Sequence, residues 1–227
     1  MIIAVTGLAR EARIVGGAGV TVLSCGGRAG LLHESLERAM TKNTAGIISI
    51  GIAGGLSPSL KSGDCVIASE IVSEGQYIPT DALWTQRLAA RLPDAVVAPM
   101  AGSQGIVFGP TSKADLFRAT GAYAVDLESH IVARLASEHR IPFAALRAIA
   151  DPAASELPAL VAGAITPAGR VNLLGVLKAV LLDPRKVPAL IRTARESKAG
   201  FDALLRCRDV LGPGLAGPDS SQLALDM

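Results

Sequence analysis

Short apolar runs set off by glycine recur along the first part of the chain: MIIAVT from residue 1, VTVLS from 20, GIISIG from 46 and DCVIAS from 64. Runs of this length, rich in β-branched residues and apolar at successive positions, predict strands of a sheet covered on both faces. Between them the period changes. In LLHESLERAM, Leu32, Leu36, Ala39 and Met40 fall on one face and Glu34, Glu37 and Arg38 on the other, the 3.6-residue repeat of an amphipathic helix. Ser112, ahead of Lys113 and Asp115, predicts a helix start with an acid in its first turn. AYAVD then reads as a strand, ESHIVARLASEH as a helix and IPFAALRAIA as a strand entered at Pro142. Alternating strands and helices predict a layered α/β sheet.

Past Asp151 the pattern loosens into PAASELPALVAGAITPAG, followed by basic helical patterns over 171–182 and 188–211. Pro188 suits a first helical position, where its missing N–H costs nothing. The second pattern groups Leu190, Ile191, Ala194, Phe201, Leu204 and Leu205 on one side, with Arg192, Arg195, Lys198 and Arg206 interspersed. The stretch 212–227 has no period and predicts a loose tail. The expected organisation is one domain over 1–211, with a core over 1–155 and a helical C-terminal segment over 171–211.

Composition narrows the function. A chain of 227 residues, 50% hydrophobic, is long enough for one sizeable core rather than two. A net charge of +2 with acids and bases interspersed, and 3% aromatic residues, offers neither a polybasic patch nor stacking platforms, so nucleic acid is not an expected partner. Cys25, Cys65 and Cys207 are odd in number and have no C-x-x-C spacing, which argues against a disulfide framework or a zinc knuckle and fits a reducing cytoplasm. No segment reads as an export signal or a membrane span.

Spacing also removes several chemistries. GGLSPSLKS lacks the phosphate-loop spacing and CGGRAG is a fragment of a dinucleotide fingerprint. There is no G-x-S-x-G or H-E-x-x-H, and His33, His130 and His139 fall on predicted helices without ligand spacing, as surface or capping side chains. No metal site and no cofactor are expected. What remains is a set of acids at strand ends. Glu11 follows the first strand, Asp126 and Glu128 follow AYAV, and Asp151 follows FAALRAIA. Carboxyl ends of parallel strands are where α/β folds bind ligands. Helix capping accounts for any one of these acids; it does not require the same sheet edge three times.

Three ordered stretches then resemble a known family. GIAGGLSPSLKSGDCVIAS is similar to the glycine-rich signature of the nucleoside phosphorylase and nucleosidase superfamily, AVDLESHIVARLA to its ribose-binding strand and helix, and LRAIADPA to its base-binding loop. The resemblance covers about residues 1–155 and implies a three-layer fold with a central mixed β-sheet flanked by helices. DLESH and the basic C-terminal segment look most like the hopanoid-associated phosphorylases, which implies release of adenine from adenosylhopane to leave a ribosyl-hopane. By the same resemblance, Asp151 matches the residue that meets N7 of adenine, and Glu128, with Leu127 and Asp126, matches the ribose-binding segment. Glu11, allowing a one-residue offset, matches the acid that activates water. Gly51, Ile52, Gly54 and Gly55 match the loop against the ligand, and a cytoplasmic homodimer is implied.

Breaking an N-glycosidic bond builds positive charge on the ribose and negative charge on the purine, so an acid must assist the base and anions must face the sugar. An apolar surround of Ala148, Ile149 and Ala150 would favour a protonated Asp151. Phosphate-using members commonly carry a serine where this chain has Ile52, which has no side-chain donor for an oxyanion. Water is therefore the expected nucleophile, with Arg28 in CGGRAG left as a phosphate contact under the phosphorylase alternative. A hopane tail needs an apolar groove or partial residence in a membrane, since each buried CH₂ is worth about 0.8 kcal/mol. The C-terminal helices fit either that role, including peripheral membrane contact, or ordinary packing on the domain. The alternatives at this point are a nucleosidase for methylthioadenosine, S-adenosylhomocysteine or futalosine, a phosphorylase, and a nucleoside-binding sensor.

Overall fold

A computed structural model describes residues 1–26, 28–156 and 187–218. The helix expected over 171–182 lies outside the described residues, as does the end of the tail. The chain runs β1 (Ile2–Thr6), α1 (Ala9–Val15), β2 (Val20–Ser24), α2 (Ala29–Ala39), β3 (Gly46–Gly55), β4 (Cys65–Ser73), β5 (Gln76–Pro79), α3 (Ala82–Arg91), β6 (Val96–Gly102), α4 (Pro110–Thr120), β7 (Ala124–Asp126), α5 (Ser129–Glu138), β8 (Phe143–Asp151) and α6 (Val187–Leu211). This is a single α/β domain with a mixed sheet.

Strand β3 is the hub. It pairs parallel with β1 and β8 and antiparallel with β7. β8 turns its other edge antiparallel to β4, and β4 reaches β7 through β6. The pairings β3–β8–β4–β6–β7–β3 close a ring, with β2 and β5 as outer strands. Alternate residues of the central strands feed two cores. Ile3, Val5, Ile47 and Ala145 pack with Leu32 and Leu36 of α2 and with Val132 of α5. Ile2, Ala4, Ile48, Ile50 and Leu146 pack with Trp84 of α3 and Leu204 of α6. Apolar residues on both faces are what make these runs continuous rather than alternating.

Local chemistry corrects several expectations. Helix α4 begins at Pro110 with Gly109 as its cap, not at Ser112, because proline loses nothing in a first turn. That shift places Lys113 inside the helix and against the core, fully buried. The buried stripe of α6 is Thr193, Gly200, Phe201, Ala203, Leu204, Cys207 and Leu211, whereas Ile191 and Leu205, expected on it, are exposed. Phe201 carries the guanidinium of Arg10 over its ring at 4.1 Å, which ties α6 to α1. The expected loose tail is anchored at its start: Pro213–Ala216 forms a 3₁₀ turn, Leu215 is fully buried, and its carbonyl accepts from Trp84 Nε1 at 3.1 Å. Cys65 and Cys207, 142 residues apart, are free thiols in contact, with their sulfurs 3.3 Å from each other. Among the described residues no helix is long and apolar enough to cross a membrane.

Candidate active site

A bulge shapes the end of β8. Its register with β3 runs from Ala53 opposite Ile149 to Gly54 opposite Asp151, so Ala150 is an extra residue. The insertion re-phases Asp151 relative to the face carrying Arg147 and Ile149 and aims its carboxylate along the sheet rim. β7 meets β3 antiparallel, but it is three residues long and Gly54 lies opposite Val125, so its end still reaches the same rim. The segments converge on a cavity of about 350 Å³ lined by Glu11, Ile52, Gly54, Asp126, Leu127, Glu128 and Asp151 among others. Of the glycine-loop residues expected there, Gly51 and Gly55 do not line it.

The glycines serve the chain's own carboxylates. A Cβ on Gly51 would stand 2.5 Å from Glu11 Oε1, and one on Gly7 would stand 2.7 Å from Glu128 Oε1. The expectation that Gly51 admits a ligand is corrected: the space above it is filled by Glu11. That carboxylate is buried, with Oε2 accepting from the Leu8 N–H at 2.6 Å and Oε1 from the Ile52 N–H at 2.7 Å. Burial pushes the Glu11 carboxyl above its usual range, while Arg147 and these backbone donors oppose the rise.

Arg147, which sequence reasoning passed over, organises this end. Its side chain is 1% exposed. Nε donates to Asp126 Oδ2 at 2.5 Å, Nη2 donates to Ser49 Oγ at 2.7 Å and lies 3.7 Å from Glu128 Oε2, and Nη1 has no hydrogen-bond partner among the described residues. Asp126 also caps α5 by accepting from the Ser129 N–H at 2.9 Å and bonds the Ser129 hydroxyl. The capping reading is thus true of Asp126 and also of Glu11, whose carboxylate accepts from the Leu8 N–H at the start of α1, alongside the place of both in the lining. Glu128 is pushed up to about 8, by burial first and then by Asp126, with Arg147 opposing and Glu11 adding to the rise.

At the opposite end Asp151 is partly open, its side chain 17% exposed, and Lys113 Nζ lies 2.7 Å from Oδ2. Ala148, Ile149 and Ala150 are buried as expected, and of these Ala150 lines the cavity with Asp151. Desolvation raises its pKa, but Lys113, absent from the sequence-based site, pulls in the other direction. A helical lysine carries no local mark of burial; the one available signal was its helical phase within PTSKADLF.

Two further expectations change. Arg28 caps α2 as an exposed residue with Nε 3.4 Å from the Cys25 carbonyl, and it is not among the lining residues. His130, expected at the surface, is buried against Gly102. His139 does lie at the surface, 3.1 Å from Glu37.

A ring-closed α/β sheet with a carboxylate-lined cavity at its rim defines the class of α/β protein to which this chain belongs. The family model described as the phosphorylase superfamily matches residues 14–181, and the chain belongs to that superfamily. No curated protein sequence matches the chain. Among solved structures, a putative 5′-methylthioadenosine/S-adenosylhomocysteine nucleosidase from Francisella philomiragia superposes with a TM-score of 0.66 at 16% identity, over 92% of this chain and 96% of that one. The nucleosidase of that name from Helicobacter pylori, bound to butyl-thio-DADMe-Immucillin-A, gives 0.66 at 15% identity over 92% and 97%. A futalosine hydrolase mutant from H. pylori gives 0.56 at 17% identity over 65% and 88%. These likenesses define a shared fold.

Proposed function

We propose that this protein is an enzyme that hydrolyses the N-glycosidic bond of an adenine nucleoside. The observation that carries the reading is the charge of the cavity: its described lining holds the carboxylates Glu11, Asp126, Glu128 and Asp151 and no lysine or arginine. Acid oxygens facing the sugar favour its gain of positive charge, and with Arg147 and Lys113 behind the acids the described lining itself offers a phosphate dianion no cationic side chain. The Ile52 N–H, one of the loop amides available to an anion, is already taken by Glu11.

In the proposed reaction a water oxygen attacks C1′ as the C1′–N9 bond breaks. The bonding pair passes to the purine, Glu11 accepts a proton from the water, and Asp151 delivers one to N7. Glu128, with Leu127 and Asp126 beside it, holds the ribose hydroxyls. Its high pKa lets it act as donor as well as acceptor near neutral pH.

The 5′ substituent we assign is a long apolar one, as in adenosylhopane, which would yield a ribosyl-hopane. Leu8, Ile106 and Val107 support this by making part of the lining apolar, and Phe108 next to them is 41% exposed. Futalosine and the thio-nucleosides named in the structural relatives are the second reading, favoured by the fold those proteins share with this chain. A cytoplasmic homodimer, with peripheral membrane contact through the C-terminal helices, accompanies the first reading.

The test is a panel of adenine nucleosides with 5′ groups of increasing length, assayed for free adenine with and without phosphate. We expect phosphate-independent release that improves with an apolar 5′ chain. Release that stops without phosphate, with sugar 1-phosphate accumulating when it is present, identifies a phosphorylase. Binding without release identifies a sensor.

A further inference from the structure

Lys113 is fully buried on α4, 38 residues before Asp151 in sequence, yet its ammonium is spent entirely on the segment that carries Asp151. Nζ lies within hydrogen-bond distance of four acceptors that share its three N–H groups: Asp151 Oδ2 at 2.7 Å, the Pro152 carbonyl at 2.9 Å, the Asp151 carbonyl at 3.1 Å and the Ser155 carbonyl at 3.2 Å. The Ser155 hydroxyl in turn donates to Glu196 Oε1 on α6 at 2.7 Å. A lysine is rarely buried without a partner, and a helix surface offers it easier places. Nothing in the packing of α4 requires a cation here, where an apolar residue would fill the volume without a desolvation cost.

We infer that Lys113 is the positioning residue and counter-ion of Asp151. This rests on the nucleosidase reading. By holding Oδ2 and three carbonyls of the loop, the ammonium fixes the carboxyl plane and leaves Oδ1 for the ring nitrogen of the base. When the proton passes from Asp151 to the purine, a carboxylate remains at the partly open end of the cavity. Lys113 already stands at hydrogen-bond distance to neutralise it, with no rearrangement needed. The charged groups facing Asp151 are Lys113 from α4 and Glu196 from α6, and they act in opposite directions.

The experiment compares Lys113→Met, Lys113→Gln and Lys113→Arg with wild type by pH profiles of kcat and kcat/KM for adenine release, with circular dichroism to establish folding. The active form of a general acid is protonated, so activity falls as pH rises through its pKa. Removing the ammonium raises that pKa. Lys113→Met is expected to lower kcat about a hundredfold with KM changed less than about threefold, and to move the alkaline limb to higher pH. Lys113→Gln, which keeps donors for the loop carbonyls without the charge, should show the same displaced limb if Lys113→Met fails to fold. Lys113→Arg should return the limb to its wild-type position. A folded Met or Gln variant with wild-type kcat and limb overturns the inference and makes Lys113 a loop staple only. Wild type that releases no adenine overturns the nucleosidase reading instead, so the two failures are distinct.

Discussion

At one end of the cavity a single guanidinium, Arg147, faces three carboxylates, Glu11, Asp126 and Glu128, whereas at the other end the Lys113 ammonium faces Asp151 alone. Both cations are fully buried. At the Arg147 end the acids outnumber the cation, and burial resolves the excess by pushing Glu128 up to about 8, so that a proton is retained there near neutral pH. At the Lys113 end one ammonium pairs with one carboxylate, Glu196 of α6 stands beyond as a further acid facing Asp151, and three backbone carbonyls surround the ammonium. Under the proposed reaction, the first end would hold the sugar and the second would transfer the proton. Two uses of a buried cation thus meet on one strand: Arg147 is carried by β8 itself, and Lys113 reaches from α4 to Asp151 at the end of β8.

Replacing either cation or its carboxylates should separate the two ends. The largest effect is expected from Arg147→Met, which leaves Asp126 without its guanidinium in a dry core. Breaking a buried pair this way costs about 3–5 kcal/mol of stability, read by urea or thermal unfolding. A loss below about 1 kcal/mol would mean that the acids at this end do not depend on Arg147. Asp151→Asn should act on rate instead. Adenine release should fall at least about a hundredfold, or about 3 kcal/mol of barrier, with nucleoside affinity within about tenfold of wild type. Near-normal turnover would reduce Asp151 to a loop residue.

A pH series sharpens the contrast between the ends. Glu128 has a folded-state pKa of about 8 against an ordinary 4.5, so its contribution to stability is fully present below the lower value and is lost as pH rises through the upper one. The melting temperature of wild type should fall between about pH 5 and pH 8, and Glu128→Gln should flatten that slope. The groups facing Glu128 are Asp126, Arg147 and Glu11, and the raised pKa values of Glu11 and Asp151 leave a residual slope of the same sign. An unchanged slope in Glu128→Gln would place the titration elsewhere. The smallest effect is expected from Ser155→Ala, which removes the hydroxyl bond to Glu196 but leaves the Ser155 carbonyl on Lys113. A loss of about 1 kcal/mol in unfolding free energy with kcat unchanged would show that the tie to α6 serves stability and the Lys113 contacts serve Asp151.

The acids of the cavity were legible because a strand end is a local feature: an apolar run stops, and acids follow it in the next polar residue, as at Asp151, or in the cap or first turn of the next helix, as at Glu128 and Glu11. Glu11, Glu128 and Asp151 could be picked out on that ground, and the same ordered stretches pointed to the superfamily. The cations that balance them were not legible. Arg147 interrupts an otherwise apolar strand and reads as a solvated or edge position until Ser49 of β3 and Ser129 of α5 are seen to enclose it. Lys113 reads as one charge on a polar helix face, because its partners lie 38 to 42 residues away.

Hydrophobic periodicity, which depends only on neighbours within one element, determined the α/β class, the central strands and the helices α2 and α5 from the sequence alone. The weakly patterned α1, α3, β5 and β6 emerged only with the structure, since short or half-exposed elements owe their stability to what they pack against. The same holds for α6, whose buried stripe was chosen by the far side of the sheet and left Ile191 and Leu205 outside. Gly51 shows the division at one residue. Its sequence marks a place where the backbone must be approached closely, but that the approaching group is Glu11, 40 positions earlier in the chain, was decided by packing. Local propensity acts through bonds a few residues long. Charge pairing in a dry interior acts through space, between groups that only the folded chain brings together.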